Sequence, residues 1–190
     1  MEDVRLSSNV SIADYQHFES DKNREEIAKF IQERFTERYI NPLRGDKTQK
    51  HGFCTMAICC LMIEALESFY QGWPNTNGNS EKAFQLFFQR CLKLKSELGK
   101  FSGKANDFYH GVRCGILHQA ETTNGWCISR KGDLFDSNTK TIHATKFHNE
   151  LENVLILYCK ELKHEGWNSE IWEKLREKMK AVINNCKANS

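Results

Sequence analysis

The sequence predicts an all-α fold, a helical bundle of about six helices with a small β-hairpin insertion around residues 126–136. Apolar residues recur at helical spacing over most of the chain. Both prolines, Pro42 and Pro74, fall between such patterns. The 190 residues are 39% hydrophobic and 27% charged, which is enough for one core and excludes the disordered and fibrous classes. We therefore expect a single domain over residues 1–190.

The first two predicted helices differ in how their apolar residues are arranged. Residues 21–40 carry a one-sided apolar stripe that stops at Asn41-Pro42, because the residue before a proline disfavours helix. That stripe consists of Ile27, Phe30, Ile31, Phe35 and Tyr39. Residues 51–71 are apolar nearly all round, which is typical of a central buried helix. We expect the following residues of that helix to be largely buried: Phe53, Ala57, Cys60, Leu61 and Leu66.

The middle of the chain predicts two more helices and the hairpin. After the polar loop 72–79, Ser80 is expected to cap a third helix. A fourth helix covers about residues 103–120, where apolar residues again recur at helical spacing. Two short apolar runs separated by a basic, glycine-containing turn then predict the hairpin at 126–136.

The last two helices complete the bundle. Thr145 opens a fifth helix that is expected to end at Gly166. A sixth covers residues 169–186, with charged residues mixed on its outer side. We take about 51–165 as the core of the domain, with the helices at 21–40 and 169–186 as extensions.

The distribution of apolar residues and cysteines predicts a cytoplasmic protein. The chain does not open with a basic segment followed by an apolar one, so we expect no secretory signal. The most apolar stretch, residues 53–63, is much shorter than the ~20 residues of a membrane span. Eight cysteines are present, several on apolar stripes and none in paired CxxC motifs. We expect reduced thiols, no zinc ribbon and no contact with a membrane.

Positive charge is concentrated in one part of the chain. The net charge is +2, yet residues 82–131 contain nine basic residues and three acidic ones. Such a local excess is compatible with a polyanionic partner such as RNA. By itself, the charge excess favours the interpretation of a solvated surface.

The fourth helix has an unusual polar side. At 100° per residue, five chemically active residues cluster opposite its apolar stripe: Asp107, His110, Cys114, His118 and Glu121. Arg113 lies on the other flank, about 140° from His118 on an ideal helix. We considered three kinds of site for this segment.

The first two kinds of site are disfavoured. His110, Cys114 and His118 are metal-ligand types, but the first and last are ~12 Å apart along a helix and converge poorly on one ion. A nucleophilic Cys114 would need a base and an oxyanion hole, and no signature around it indicates either. We therefore expect no metal and no cofactor, and a structural role for this cysteine.

The third kind of site uses Arg113 and His118 together. Arginine offers a permanent charge and a planar fork that suits phosphate. Histidine transfers protons near neutral pH. Such a pair suffices to cleave RNA without a metal, because the ribose 2′-hydroxyl supplies the nucleophile.

The segment from Asp107 to Ala120, DFYHGVRCGILHQA, resembles the signature helix of the HEPN superfamily. These are small all-α domains with an Arg-x4–6-His motif, many of them metal-independent RNases of toxin–antitoxin and other defence systems. The resemblance covers about residues 51–165. It implies that Arg113 and His118 are catalytic. One position departs from the pattern, since the residue after the arginine is commonly Asn, Asp or His in active members and is Cys114 here.

The resemblance also implies a homodimer formed through the 103–120 helix, with the two motifs facing each other. An antitoxin or another partner protein is compatible with this family. Candidate supporting residues are Cys114, Asp107, His110, Glu121 and Glu64. Candidate substrate-binding residues are Lys104, Arg130, Lys131 and Trp126; Trp126 is expected either to stack on a base or to close the hairpin against the core.

The alternative function is a non-catalytic helical module that dimerises and binds nucleotide or protein. In that case Arg113 pairs with a carboxylate, and His118 lies at a helix C-terminus where a cation is favoured. Glu64 and Glu67 lie on the otherwise apolar second helix, and a buried carboxylate needs a partner. Arg113 is a natural one.

Overall fold

A computed structural model describes residues 4–44 and 51–188. The protein is predominantly helical, as predicted, and carries a small three-stranded sheet where a β insertion was expected. The α-helices are α1 (Ile12–Ser20), α2 (Arg24–Phe35), α3 (Gly52–Gln71), α4 (Ser80–Lys93), α5 (Ala105–Phe108), α6 (Gly115–Gln119), α7 (Ala144–His164) and α8 (Glu170–Ala188). π-Helical turns span Thr36–Ile40 and Tyr109–Cys114, and 3₁₀ segments span Asn41–Leu43 and Glu97–Lys104. The strands are β1 (Cys127–Ser129), β2 (Phe135–Asp136) and β3 (Thr141–His143).

Helix α1 was not predicted, because it is short and mostly polar. Its N-terminus is fixed by a capping box: the Ser11 hydroxyl accepts from the amide of Asp14, whose carboxylate accepts from the amide of Ser11 at 2.9 Å. Only Ile12 and Tyr15 of this helix are buried. The Ser-x-x-Asp spacing was the available signal.

Helix α3 is the central helix, packed against α4, α7 and α8. Cys60 and Leu66 are fully buried, as predicted. The prediction was wrong for Phe53 and Leu61, which are 39% and 45% exposed, and Ala57 is only partly buried. Residues four apart share one side of a helix, so one face of α3 stays in contact with solvent.

Helix α3 is also the only described helix long and apolar enough to cross a membrane by length and composition. However, 56% of its apolar window is buried inside the protein. It also carries Glu64 and Glu67, each paired with an arginine from another helix. Its packing is that of the core helix of a bundle.

The predicted hairpin was wrong in its pairing. Strands β1 and β2 form where expected, but β3 lies between them. It runs parallel to β1, with Cys127 opposite Thr141, and antiparallel to β2, with Phe135 opposite Ile142. Ile142 is fully buried, and this burial draws its strand to the centre of the sheet. The three residues of β3 were too few to reveal the strand in advance.

The ends of the later helices lie close to the predicted ones, with different caps. Ser80 is the first residue of α4 and donates to the Thr76 carbonyl, so it is not the N-cap. The side chain of His143 caps α7 by accepting from the amide of Lys146 at 3.3 Å.

One hydrophobic core runs through the described chain, from Leu6 to Ile183. The two terminal helices both contribute to it. Phe30 of α2 and Trp172 of α8 are almost completely buried, and α2 packs on α7 while α8 packs on α3. The same core therefore includes the regions on either side of residues 51–165.

Candidate functional site

The candidate site lies on residues 105–119, the motif helix, which comprises α5, the π-turn and α6. A uniform helix was predicted over 103–120. Instead, residues up to Lys104 are 3₁₀, and the turn that contains Arg113 is π-helical. Ala120 adopts a left-handed conformation (φ 57°) and ends the helix. π-Turns inside α-helices occur frequently at functional sites.

The orientation of the motif helix is fixed by its aromatic side. Phe108 is fully buried. Its ring meets Phe88 edge-on at 5.1 Å and stacks on Phe147 at 5.7 Å. Val112, one turn later, is also fully buried. The opposite side of the helix, with its polar residues, therefore faces outward.

Two glycines let the chain fold back across the motif helix. A Cβ at Gly111 would lie 2.3 Å from the ring of Trp126, and one at Gly115 would lie 2.5 Å from the Glu121 carbonyl oxygen. The amide of Thr123 donates to the Gly111 carbonyl at 2.8 Å. Side chains at these two positions would block this close return, so both glycines shape the site.

Arg113 and Glu64 form an ion pair between the motif helix and α3. The Nε–Oε1 distance is 2.8 Å, and the side chains are 17% and 10% exposed. The second oxygen of Glu64 accepts from the Thr76 hydroxyl at 3.1 Å. Burial opposes the charge of Arg113, but the hydrogen bond and the charge attraction to Glu64 act together against it, and the pKa of Arg113 is raised. The predicted pairing of Arg113 with a buried carboxylate is confirmed.

Tyr109 and Cys114 extend this pair into a small network. The Cys114 thiol lies close enough to Arg113 and Tyr109 to influence the pKa of both. The guanidinium carbon lies 5.5 Å from the centre of the Tyr109 ring. Burial and the hydrogen bond with Cys114 raise the pKa of Tyr109. We call Glu64, Thr76, Tyr109, Arg113 and Cys114 the Arg113 network. Tyr109 was overlooked, although its position four residues before Arg113 was a readable signal.

His118 is exposed in the last turn of the motif helix, outside the Arg113 network. Glu121 is exposed as well, and its carboxylate accepts from the amide of Thr122 at 2.9 Å. The catalytic candidates therefore differ in environment. Arg113 is held against α3, whereas His118 is open to solvent.

The other polar residues of the motif helix are paired with different elements. His110 lies 3.5 Å from Glu81 of α4, and Asp107 lies 2.7 Å from Lys140. Within residues 4–44 and 51–188, no three His, Cys, Asp or Glu side chains are grouped as metal ligands. The five residues predicted on one polar side thus do not form one cluster.

The predicted substrate-binding residues are dispersed. Lys104, Arg130 and Lys131 each line a different surface depression. Trp126 is only 3% exposed and packs against Phe108. It closes the sheet against the core and is not available to stack on a base in this conformation.

Comparison of the chain with models of protein families, with curated proteins and with solved structures found no match. What the site does therefore has to follow from its own residues.

Proposed function

We propose that this protein is a metal-independent endoribonuclease of the HEPN type, acting in the cytoplasm as part of a defence or toxin system. The observation that carries the proposal is the arrangement of the motif helix. Its π-turn holds Arg113 on the buried carboxylate of Glu64, while His118 is left in solvent at the end of the same helix. This gives a fixed cation and an accessible proton carrier on the same helix.

The reaction follows from these two groups. The 2′-oxygen of a ribose attacks the adjacent phosphorus, and the bond to the 5′-oxygen of the next nucleotide breaks. His118 removes the proton of the 2′-hydroxyl or protonates the leaving 5′-oxygen. Arg113 stabilises the negative charge of the phosphorane. The products carry a 2′,3′-cyclic phosphate and a 5′-hydroxyl.

A homodimer would complete the site. Arg113 and His118 face different surroundings in one copy, so a second copy would have to bring its own His118 towards this Arg113. Two exposed apolar residues adjoin the Arg113–Glu64 pair: Leu117 one turn after Arg113, 39% exposed, and Leu61 one turn before Glu64, 45% exposed. They offer apolar surface for such a contact.

The dimer is tested by sedimentation of the natural chain and of Leu117→Asp. We expect a dimer that dissociates in the variant, because a carboxylate would be buried at the interface. Leu92→Asp is the matched control, since Leu92 is also exposed but lies on α4. A natural chain that stays monomeric at high concentration would contradict the shared site.

The second candidate function is a non-catalytic dimerisation module that binds nucleotide or a partner protein such as an antitoxin. Two observations favour it: only 17% of the Arg113 side chain is exposed, and the thiol of Cys114 follows it in place of a stronger hydrogen-bonding group. In this function the ion pair only joins two helices.

The deciding experiment is cleavage of labelled RNA by the natural chain, Arg113→Ala and His118→Ala. We expect cleavage by the natural chain alone, unaffected by a chelator, with cyclic phosphate ends. His164→Ala is the matched control, because His164 is likewise exposed near the end of a helix. Inhibition by the chelator, or equal cleavage by His118→Ala, would overturn the proposal.

A further inference from the structure

A second site is indicated by three cationic side chains gathered around a small cavity away from the motif helix. The cavity, of about 170 Å³, lies between the end of α2, α3 and α8. Arg34, Arg38 and Lys178 line it together with Ser68 and apolar residues, and no carboxylate does. Arg34 and Lys178 are partly buried, and Arg38 is exposed at the edge of the cavity.

None of these three residues forms an ion pair within the described chain. Arg34 and Arg38 both donate to the Leu6 carbonyl. Lys178 donates to the Pro74 carbonyl at 3.1 Å. These acceptors are uncharged, and no carboxylate in residues 4–44 or 51–188 lies within ion-pair distance of any of the three cations. Partly buried like charges without counter-charge are costly.

The neighbouring carboxylate of Glu37 offsets only a small part of the charge of Arg34 and forms no ion pair with it. It accepts from the backbone amide of Ser8 at 3.1 Å. The positive charges are close enough to lower pKa values in both α2 and α8. Burial and the charge of Arg38 lower the pKa of Arg34 to about 10. Burial and the charge of Arg34 lower the pKa of Lys178.

We propose that this cavity binds a phosphate group, held by Arg34, Arg38 and Lys178. Two guanidinium forks and an ammonium group supply donors to several oxygens at once. The cavity is smaller than the ~300–1,000 Å³ of sites for drug-sized ligands. It therefore accommodates the phosphate, with any attached nucleoside remaining outside. The group is either free phosphate or the terminal phosphate of a nucleotide.

The test is calorimetric titration of the natural chain with inorganic phosphate, adenosine 5′-monophosphate and adenosine at constant ionic strength. We expect saturable binding of the two phosphate compounds and none of adenosine. Equal affinities would identify free phosphate as sufficient, and much tighter binding of the nucleotide would identify a terminal phosphate. Absence of saturable binding by both phosphate compounds at millimolar concentration would overturn the proposal.

Matched variants of α8 locate the binding. Lys178→Met removes the ammonium group, which lies 5.7 Å from the centre of the Phe69 ring, but keeps most of the aliphatic stem, and we expect it to weaken phosphate binding at least about tenfold. Lys180→Met is the control, because Lys180 is exposed two residues further along the same helix. Equal weakening by the two variants would show unspecific attraction and overturn the site. Circular dichroism checks that both variants fold.

This inference does not depend on RNA cleavage. Arg113→Ala and His118→Ala should bind phosphate as the natural chain does. Loss of cleavage with retained phosphate binding separates the two sites, whereas loss of phosphate binding in these variants would argue against the α2–α3–α8 cavity.

Discussion

Two ion pairs on α3, one turn apart, are built from the same residue types and have different surroundings. Glu67 is completely buried; it accepts from Arg90 at 2.8 Å and from Gln71 at 2.8 Å. The Arg90 guanidinium also stacks on Tyr70, 3.7 Å from the ring centre. Glu64 pairs with Arg113 at the same distance, but its carboxylate keeps some contact with solvent; the two arginines, Arg113 and Arg90, are 17% and 27% exposed.

The difference separates a structural pair from a candidate site. The Glu67–Arg90 pair joins α3 to α4 around a completely buried carboxylate, and its arginine is stacked on Tyr70. The Glu64–Arg113 pair joins α3 to a π-turn beside exposed Leu61 and Leu117. Replacing Arg113 should therefore affect RNA cleavage more than stability, and replacing Arg90 should affect stability more than cleavage.

The largest expected effect is on cleavage. Arg113→Met should lose RNA cleavage altogether, and His118→Ala should lose about 10²–10⁴-fold, the usual range for a general acid or base. Arg90→Met should retain the natural rate per folded molecule, because Arg90 lies outside the site. The measurement is single-turnover cleavage, with the folded fraction determined by circular dichroism. Equal losses in the two arginine variants would remove the distinction.

The next effect is on stability, and it should run in the opposite order. Arg90→Met leaves Glu67 charged and buried, and removing one partner of such a pair costs about 3–5 kcal/mol. Arg113→Met should cost less, about 1–2 kcal/mol, because Glu64 keeps the hydroxyl of Thr76 and reaches solvent. Urea denaturation measures both. A larger loss for Arg113→Met would mean that its pair is primarily structural.

Only part of this comparison was predictable from the sequence. A carboxylate on an apolar helix signals a buried ion pair, and this signal correctly joined Glu64 to Arg113. The same reasoning allowed Arg113 to pair with Glu67 as well, and it did not identify Arg90 as the partner of Glu67. That choice depends on how α4 lies across α3, which periodicity does not specify.

The other features of the site could not be predicted from the spacing of apolar residues. The π-turn and the order of the short strands follow from tertiary contacts, chiefly the packing of Trp126 against Gly111 and the burial of Ile142. The exposure of Phe53 and Leu61 was missed because an all-round apolar helix gives no sign of which face lacks a neighbour. The regular helices were easier to predict, because their apolar stripes are long.

A third prediction concerns Gly111 and Gly115, which shape the motif helix around Arg113 and lie away from the Glu67–Arg90 pair. Gly111→Ala and Gly115→Ala should each cost about 1–3 kcal/mol, because the new methyl group collides with the returning segment. Both should also reduce cleavage per folded molecule by displacing the motif helix. Gly103→Ala is the control, since a Cβ there meets no atom within 4 Å. If urea denaturation gave the same free energy of unfolding for all three variants, the segment that folds back over the motif helix would not be tightly packed.

The smallest and most specific effect is expected at Cys114. Its thiol interacts with both Arg113 and Tyr109, and a thiol is a weak hydrogen-bonding group. Cys114→Asn offers an amide, a stronger hydrogen-bonding group, at the same position. One better hydrogen bond to the Arg113 network is worth about 1 kcal/mol, so cleavage should rise roughly fivefold. Cys127→Asn, at an exposed cysteine on β1, should leave the rate unchanged. If neither the natural chain nor Cys114→Asn cleaves any RNA, the pair on Glu64 is a structural joint like the one on Glu67, and the binding module is the function that remains.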